Sequence, residues 1–133
     1  MKSLKIQIPS IIENIRIVES FIDNVKEKYK LDDDIYGNIM VAVTESVNNA
    51  IKHGNNCDKN KNVTLIAEYE DNLVRFIVED EGPGFDPDNL PDPTAPENIG
   101  KLGGRGIFLM KQLSDEVHYH NNGRKAEMIF YIN

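Results

Sequence analysis

One predicted helix carries an acid, an amide and a lysine along a single edge. Within residues 39–54, Glu45 and Asn49 are four apart and share a helical face, with Lys52 and His53 one turn further on. A carboxamide oxygen suits Mg²⁺, a neighbouring carboxylate can accept a proton from an attacking hydroxyl, and a lysine can reach phosphate oxygens. A solvated polar face would show the same residues, so this pattern alone is not decisive.

A second group of residues ends a predicted strand. Asp80 is followed by Gly82 and Gly84 in the run Glu-Asp-Glu-Gly-Pro-Gly-Phe at 79–85. The carboxylate could accept a hydrogen bond from an exocyclic amine such as that of adenine, and glycines allow backbone to approach a flat ligand closely. A plain turn would give the same short pattern.

A third group begins a later helix. Gly104, Arg105 and Gly106 precede the apolar run 107–110, and free N–H groups at a helix start attract anions such as phosphate. Arg105 could add positive charge there, or could simply be exposed. Three such groups in this order would rarely coincide by chance, and together they indicate a nucleotide site.

Hydrophobic periodicity predicts the elements that must position these residues. A short strand is expected at 4–8, followed by a helix at about 10–29 that begins with a capping box of Ser10 and Glu13. The next helix begins at Asp32 and ends at Gly54, a typical residue for the position after a helix. The remaining predictions are strands at 63–70, 73–80, 116–120 and 124–132, a helix at 105–114, and turns at 71–72 and 122–123.

The predicted order of elements is β-α-α-β-β-loop-α-β-β. It indicates an α+β fold, a two-layer sandwich with a mixed, mostly antiparallel sheet and its helices on one face. Residues 82–104 hold five of the six prolines and five of the nine glycines and show no periodicity. A loop of this length inside a compact domain is usually functional or disordered, and the glycine motifs at both ends favour a functional loop.

The composition limits the possible partners and location. The 133 residues favour one domain, and a net charge of −7 makes nucleic acid and anionic membranes poor partners. Cys57 is the single cysteine, so an intrachain disulfide is impossible, and we expect an incidental loop thiol. Neither a signal peptide nor a membrane-length apolar run is visible, so the cytoplasm is the expected location.

These motifs resemble those of the ATPase superfamily shared by gyrase, the ninety-kilodalton heat-shock chaperone, mismatch-repair ATPases and histidine kinases. Glu45-x-x-x-Asn49-Ala resembles the N box, Asp80-x-Gly82-x-Gly84 the G1 box and Gly104-x-Gly106 the G2 box. The chain is most similar to the anti-sigma-factor serine kinases, in its length, in Glu45, and in the residues after the G2 box. The resemblance implies one Bergerat-type ATP-binding domain over 1–133.

The resemblance also implies residue roles. Asn49 would hold Mg²⁺ bridging the phosphates of ATP, Glu45 would be the base, and Lys52 could contact phosphate. Asp80 would bind the adenine amine, and residues 86–103 would form a lid. Gly82 and Gly84 would shape the base pocket, and Gly104, Arg105 and Gly106 would contact the phosphates. Many relatives carry a Gly-Thr pair near adenine, whereas the run here is Gly123-Arg-Lys-Ala-Glu-Met-Ile.

Several functions remain open on these grounds. The resemblance implies a serine/threonine kinase that holds a sigma factor, phosphorylates a small antagonist protein and forms a homodimer. A nucleotide-dependent binding switch and a plain ATPase are alternatives. A histidine kinase fragment is a weaker one, because no long helical hairpin bearing a phosphoacceptor histidine is predicted. Glu45 also favours a hydroxyl acceptor, since a serine hydroxyl needs such a base whereas an imidazole does not. We expect structural roles for the three histidines, His53, His118 and His120.

Overall fold

The computed structural model describes residues 2–84 and 104–132 of the chain. Within those ranges the elements follow the predicted order. The strands are β1 (Lys2–Pro9), β2 (Asn62–Glu70), β3 (Leu73–Glu79), β4 (Glu116–His120) and β5 (Lys125–Tyr131). The helices are α1 (Ile15–Tyr29), α2 (Asp33–Asn49) and α3 (Gly104–Leu113). The predicted lid at 86–103 lies outside the described residues.

The five strands form one sheet in the order β1-β2-β3-β5-β4. Every pair of neighbours in the described part of the chain is antiparallel, which confirms the predicted α+β class. β5 therefore lies between β3 and β4, and the chain end pairs directly with the strand that leads to Asp80. This order places the Asp80-x-Gly82-x-Gly84 motif, which follows β3, beside the β4–β5 hairpin.

One face of the sheet and the helices enclose the core. Alternate residues of the central strands are almost completely buried, as strand geometry requires when one face is covered. The same cluster includes apolar residues from all three helices, so the helices pack on one face as predicted. None of the described helices combines the length and apolarity needed to cross a membrane. The inward-facing strand residues are Ile8, Val63, Leu65, Ala67, Val74, Phe76, Val78, Ala126, Met128 and Phe130.

The start of the first helix differs from the prediction. A 3₁₀ turn at Ile12–Asn14 precedes α1, and the predicted capping box of Ser10 and Glu13 is wrong. Ser10 is fully buried, and its hydroxyl donates to the carbonyl of Lys61 at 2.7 Å instead of capping the helix. This hydrogen bond therefore joins the segment between β1 and α1 to the segment that leads into β2.

The second helix begins as predicted but ends differently. The Asp32 carboxylate accepts a hydrogen bond from the Ile35 N–H at 2.9 Å, which is the expected N-terminal cap. At its other end, Ala50–Gly54 forms a π-helical turn in which the Asn55 N–H donates to the Ala50 carbonyl at 2.8 Å. Gly54 is not in the left-handed conformation expected of a residue that terminates a helix.

The β4–β5 hairpin turn is longer than the predicted two-residue Asn-Gly turn. The strands close at the pair His120 and Lys125, so residues 121–124 form the connection. Asn121, Asn122 and Gly123 have φ values of 55°, 57° and 83°. Asn and Gly are the residues that adopt this left-handed conformation at the least cost, which explains their occurrence here.

Candidate functional site

The polar edge predicted on α2 exists in the structure. Glu45 and Asn49 are both partly buried and share one helical face, whereas Val43 and Val47 on the opposite side are in the core. This division follows from the 3.6-residue period of the helix. The edge therefore lies at the border of the core, where a bound molecule could contact it.

Lys52 lies on the π-helical turn that follows α2, and its side chain is exposed. A π turn contains more residues than an α turn, so Lys52 is rotated about the helix axis relative to the predicted position. π turns inside helices occur frequently at functional sites. The contact of Lys52 with phosphate stays a prediction.

Asp80 directly follows β3 and is held by hydrogen bonds on two sides. Its backbone N–H donates to the Arg124 carbonyl at 2.9 Å, and the Gly82 N–H donates to its Oδ1 at 2.8 Å. Burial raises the pKa of Asp80, while the Gly82 hydrogen bond and the charge of Arg124 oppose that rise. The side chain is thus a fixed, half-buried hydrogen-bond acceptor.

The end of the α2 region lies directly against this carboxylate. A Cβ atom added to Gly54 would lie 2.4 Å from Asp80 Oδ2, and one added to Gly82 would lie 1.9 Å from the Gly54 carbonyl oxygen. Only glycines allow this contact between the two segments. The structure therefore brings the helix that carries Glu45 and Asn49 together with Asp80, as the predicted site requires.

Gly84 likewise allows close contact between two chain segments, here with the β4–β5 hairpin. It has a φ of 83°, and an added Cβ would lie 2.1 Å from the Asn122 carbonyl oxygen. The sequence analysis assigned Gly82 and Gly84 to close approach by a ligand. In the structure they permit close approach between protein segments, and contact with adenine stays a prediction. The hairpin packed on Gly84 is the segment that lacks the Gly-Thr pair of many relatives.

α3 begins at Gly104, and it packs against α2. Ile107 and Met110 are buried in the core, as their helical spacing predicted. Because α3 lies beside the helix that carries Glu45 and Asn49, its start belongs to the same side of the molecule. The contacts of Gly104, Arg105 and Gly106 with phosphate stay predictions.

The described residues contain no group of three or more His, Cys, Asp or Glu side chains that could hold a metal ion by themselves. Mg²⁺ usually keeps several waters and is bound by one or two protein groups together with substrate phosphates. A carboxamide such as Asn49 beside Glu45 fits that mode of binding. The described donors therefore suit Mg²⁺ that arrives with a nucleotide.

A cavity of about 650 Å³ opens on the other side of the sheet. Its strand residues Gln7, Thr64 and Glu79 alternate with inward-facing ones, so the cavity faces away from the helices. Asp80 is the one predicted site residue in the described ranges that lines it. The cavity therefore lies on the face of the sheet away from the helices and meets the predicted nucleotide site at Asp80.

The sequence analysis missed Asn55. This residue is 1% exposed and hydrogen-bonds to both the start of α1 and the segment after Asp80. It is one of four asparagines in the polar run 55–62, and no local pattern distinguishes it from the others. Its burial depends on the tertiary contact between Gly54 and Gly82, which the sequence does not display.

A family model described as the histidine kinase-like ATPase domain matches residues 8–130. The chain belongs to this family. Membership over nearly the whole length confirms the resemblance that the N, G1 and G2 boxes indicated, and ATP is the nucleotide that the family name implies. The match covers most of both described ranges and the whole segment between them.

Two relatives show to which kinases within this ATPase family the chain is similar. It is 30% identical to the serine-protein kinase RsbW of Bacillus subtilis in an alignment of 138 positions, which covers 98% of this chain and 86% of that protein. It is also 30% identical to the serine-protein kinase RsbW of Staphylococcus epidermidis over 139 residues, with 97% and 86% covered. The chain is therefore a member of the serine-protein kinases, as the sequence predicted.

A solved structure agrees with the fold. Part of the crystal structure of the RsbU and RsbW domains of a Mycobacterium tuberculosis protein superposes on this chain with a TM-score of 0.69 and 18% sequence identity. The match covers 100% of this chain and 32% of that one. At this identity the likeness shows a common fold.

Proposed function

We propose that this protein is an anti-sigma factor and serine/threonine kinase that transfers phosphate from ATP to a small antagonist protein. The observation that carries the proposal is the contact between Gly54 and Asp80. It joins the end of the helix that carries Glu45 and Asn49 to the proposed adenine acceptor. One site can therefore hold both ends of ATP.

The residues take the following roles in this proposal. Asp80 accepts a hydrogen bond from the adenine amine, and Asn49 holds Mg²⁺, which neutralises phosphate charge when bound. Lys52 approaches the phosphates, as do Gly104, Arg105 and Gly106. Phosphoryl transfer requires mainly positioning and charge neutralisation, and these groups supply both.

In this proposal, Glu45 determines which type of residue accepts the phosphoryl group. A hydroxyl oxygen of the antagonist forms a bond to the γ-phosphorus, the bond from that phosphorus to the departing ADP oxygen breaks, and the hydroxyl proton passes to Glu45. A serine or threonine hydroxyl needs such a base, whereas a neutral imidazole already has a free lone pair. The side chain therefore favours a hydroxyl acceptor over a histidine.

A transfer assay with two matched variants tests the proposal. Purified protein, Mg·ATP and the antagonist encoded beside it should give phosphoserine or phosphothreonine on the antagonist. We expect Glu45→Gln to lower the rate at least about 100-fold while ATP binding is kept, because a general base contributes about 10²–10⁴. Glu27→Gln changes the same group on the exposed face of α1 and should leave the rate unchanged.

The other outcomes separate the alternatives. Intact nucleotide binding without labelled antagonist would favour a binding switch that transfers no phosphate. Phosphate release without any antagonist, at a rate equal to that with it, would favour a plain ATPase. Transfer by Glu45→Gln at the wild-type rate would show that another group is the base.

The proposed partners follow from the same assignment. The protein would bind a sigma factor in one nucleotide state and the antagonist in another, as a homodimer in the cytoplasm. Light scattering of the purified chain should give twice the monomer mass of 15.1 kDa. A mass of one chain at high concentration would contradict the dimer and leave the kinase proposal intact.

A further inference from the structure

Asn55 is a buried amide that connects three separate segments of the chain. Its Nδ2 donates to Ser10 Oγ at 2.8 Å and to the Asn62 carbonyl at 3.0 Å. Its Oδ1 accepts a hydrogen bond from the Glu81 N–H at 2.8 Å. All three hydrogen bonds are made by the side chain, so no other residue type of similar size can reproduce the whole set.

The third of these hydrogen bonds lies next to the proposed adenine acceptor. Glu81 directly follows Asp80, and Asn55 directly follows Gly54, which lies against the Asp80 carboxylate. The Asn55–Glu81 hydrogen bond and the packing of Gly82 on the Gly54 carbonyl therefore hold the two segments together directly after Asp80. The Asp80 backbone N–H is fixed separately by the Arg124 carbonyl.

The anchor of Asn55 is itself rigid. Ser10 is fully buried and donates its hydroxyl to the Lys61 carbonyl at 2.7 Å, so its oxygen has a fixed position from which to accept from Asn55. A buried amide with its donors and acceptor satisfied has one orientation, because rotation would leave polar atoms unpaired. The orientation of Asn55 is thus transmitted to the Glu81 backbone.

We infer that Asn55 is a positioning residue for nucleotide recognition. It holds the Asp80 carboxylate where the carboxylate can accept a hydrogen bond from the adenine amine. This inference rests on the proposed function, in which Asp80 accepts that amine. Asn55 itself contacts no nucleotide in the proposal. Its loss should therefore weaken the recognition of the amine selectively, rather than all nucleotide binding.

The test compares ATP with purine riboside triphosphate, which lacks the 6-amino group. Equilibrium binding of both is measured for the full chain with Mg²⁺. Wild type should prefer ATP by about 10-fold or more, the range for a hydrogen bond to a charged acceptor. Asn55→Ala should reduce this preference at least about 5-fold, with little change in the affinity for the analogue.

The exposed neighbour provides the control. Asn56 has a left-handed φ of 53° and its side chain is exposed, so Asn56→Gly fits the same backbone and should keep the full preference for ATP. In an Asp80→Asn background, Asn55→Ala should cause no further loss of preference, because its effect acts through the carboxylate.

The outcomes distinguish the inference from the function on which it rests. If wild type binds both nucleotides equally, the role of Asp80 in the proposed function fails. If wild type prefers ATP and folded Asn55→Ala keeps that preference, or loses affinity for both nucleotides equally, the inference fails. If Asn55→Ala does not fold, Ser10→Ala decides the question. It removes one acceptor of Asn55 and should reduce the preference about 2-fold or more, and an unchanged preference would overturn the inference.

Discussion

Asp80 is a carboxylate that the fold keeps half-buried at some cost. Burial raises its pKa, and the Gly82 N–H and the charge of Arg124 only partly oppose that effect. A charge held in such a place is typical of functional residues, since stability alone would favour a neutral group. The residue type and its inward-facing position at the end of the strand were apparent from the sequence, but its contact with Gly54 was not.

Replacing Asp80 with Asn separates stability from nucleotide recognition. Because burial raises the folded-state pKa of Asp80 above its ordinary value of 3.8, the ionised group destabilises the fold at neutral pH. The stability that this group contributes is greatest below pH 3.8 and is lost as the pH rises through the folded-state pKa. Asp80→Asn keeps an oxygen for the Gly82 N–H but cannot ionise.

We therefore expect the melting temperature of Asp80→Asn at pH 7.5 to exceed that of wild type by about 1–3 °C. The difference should disappear as the pH is lowered toward 3.8, where both side chains are neutral. ATP should bind about 10-fold or more weakly, because the amide oxygen accepts from the Gly82 N–H and leaves an NH₂ donor, rather than a carboxylate oxygen, toward the adenine amine. Thermal denaturation across pH measures the first effect and equilibrium binding the second. A lower melting temperature at pH 7.5 would contradict the burial argument.

At the scale of elements, sequence periodicity predicted the buried faces of strands and helices, but it missed helix ends that depend on contacts with distant residues. The alternation in β2 and β3 and the apolar stripe of α2 gave the buried faces correctly, because each pattern recurs several times. The predicted start of α1 was wrong because the Ser10 hydroxyl donates a hydrogen bond to the carbonyl of Lys61, 51 residues away. The π turn at Ala50–Gly54 was missed for the same reason, since it depends on packing against the segment after β3.

Two glycines allow a direct test of that packing. Gly37 lies on the exposed face of α2, and a Cβ added there would meet nothing within 4 Å. Gly82 lies at the contact between the π turn and the loop after β3, where a Cβ would overlap the Gly54 carbonyl. The same substitution to alanine should therefore have opposite effects at the two positions.

Gly37→Ala should stabilise the chain by about 0.5–1 kcal/mol, because alanine loses less backbone freedom in a helix. Gly82→Ala should destabilise it by about 1–3 kcal/mol, since backbone must move to admit the methyl group. It should also weaken ATP binding, because Asp80 moves with the displaced segment. Urea denaturation of the two variants measures both changes. Equal destabilisation by both would show that the contact at Gly82 is not tight.

At the scale of the whole molecule, the sheet has one covered face and one face that carries charge. Arg75 lies in the middle of the outer face and contacts three carboxylates. Its Nη1 lies 2.9 Å from Glu68 and 3.6 Å from Glu70, and its Nε lies 2.8 Å from Glu127. No sequence pattern predicts this network, because its residues belong to three strands whose pairing register brings them together.

The network has a particular importance in a chain with a net charge of −7. Arg75 is 19% exposed, and Glu68 and Glu127 are 21% and 20% exposed, so solvent screens these pairs less than surface pairs. Without the guanidinium, three carboxylates would repel one another across adjacent strands. The contribution of the Arg75 ion pairs to stability therefore depends on both their local geometry and the net charge of the chain.

Replacement of Arg75 by methionine, which keeps an apolar stem over the sheet, should destabilise the chain by about 1–3 kcal/mol because the carboxylates lose their cation. The variant should also gain more stability than wild type when NaCl is raised from 50 to 500 mM, since salt screens the repulsion among the remaining charges. Lys59→Gln makes the same change in net charge in an exposed loop, so it should cost less than about 0.5 kcal/mol and keep the wild-type response to salt. Urea denaturation at both salt concentrations measures these effects. If both variants responded to salt alike, overall charge rather than the Arg75 network would control the stability of the outer face.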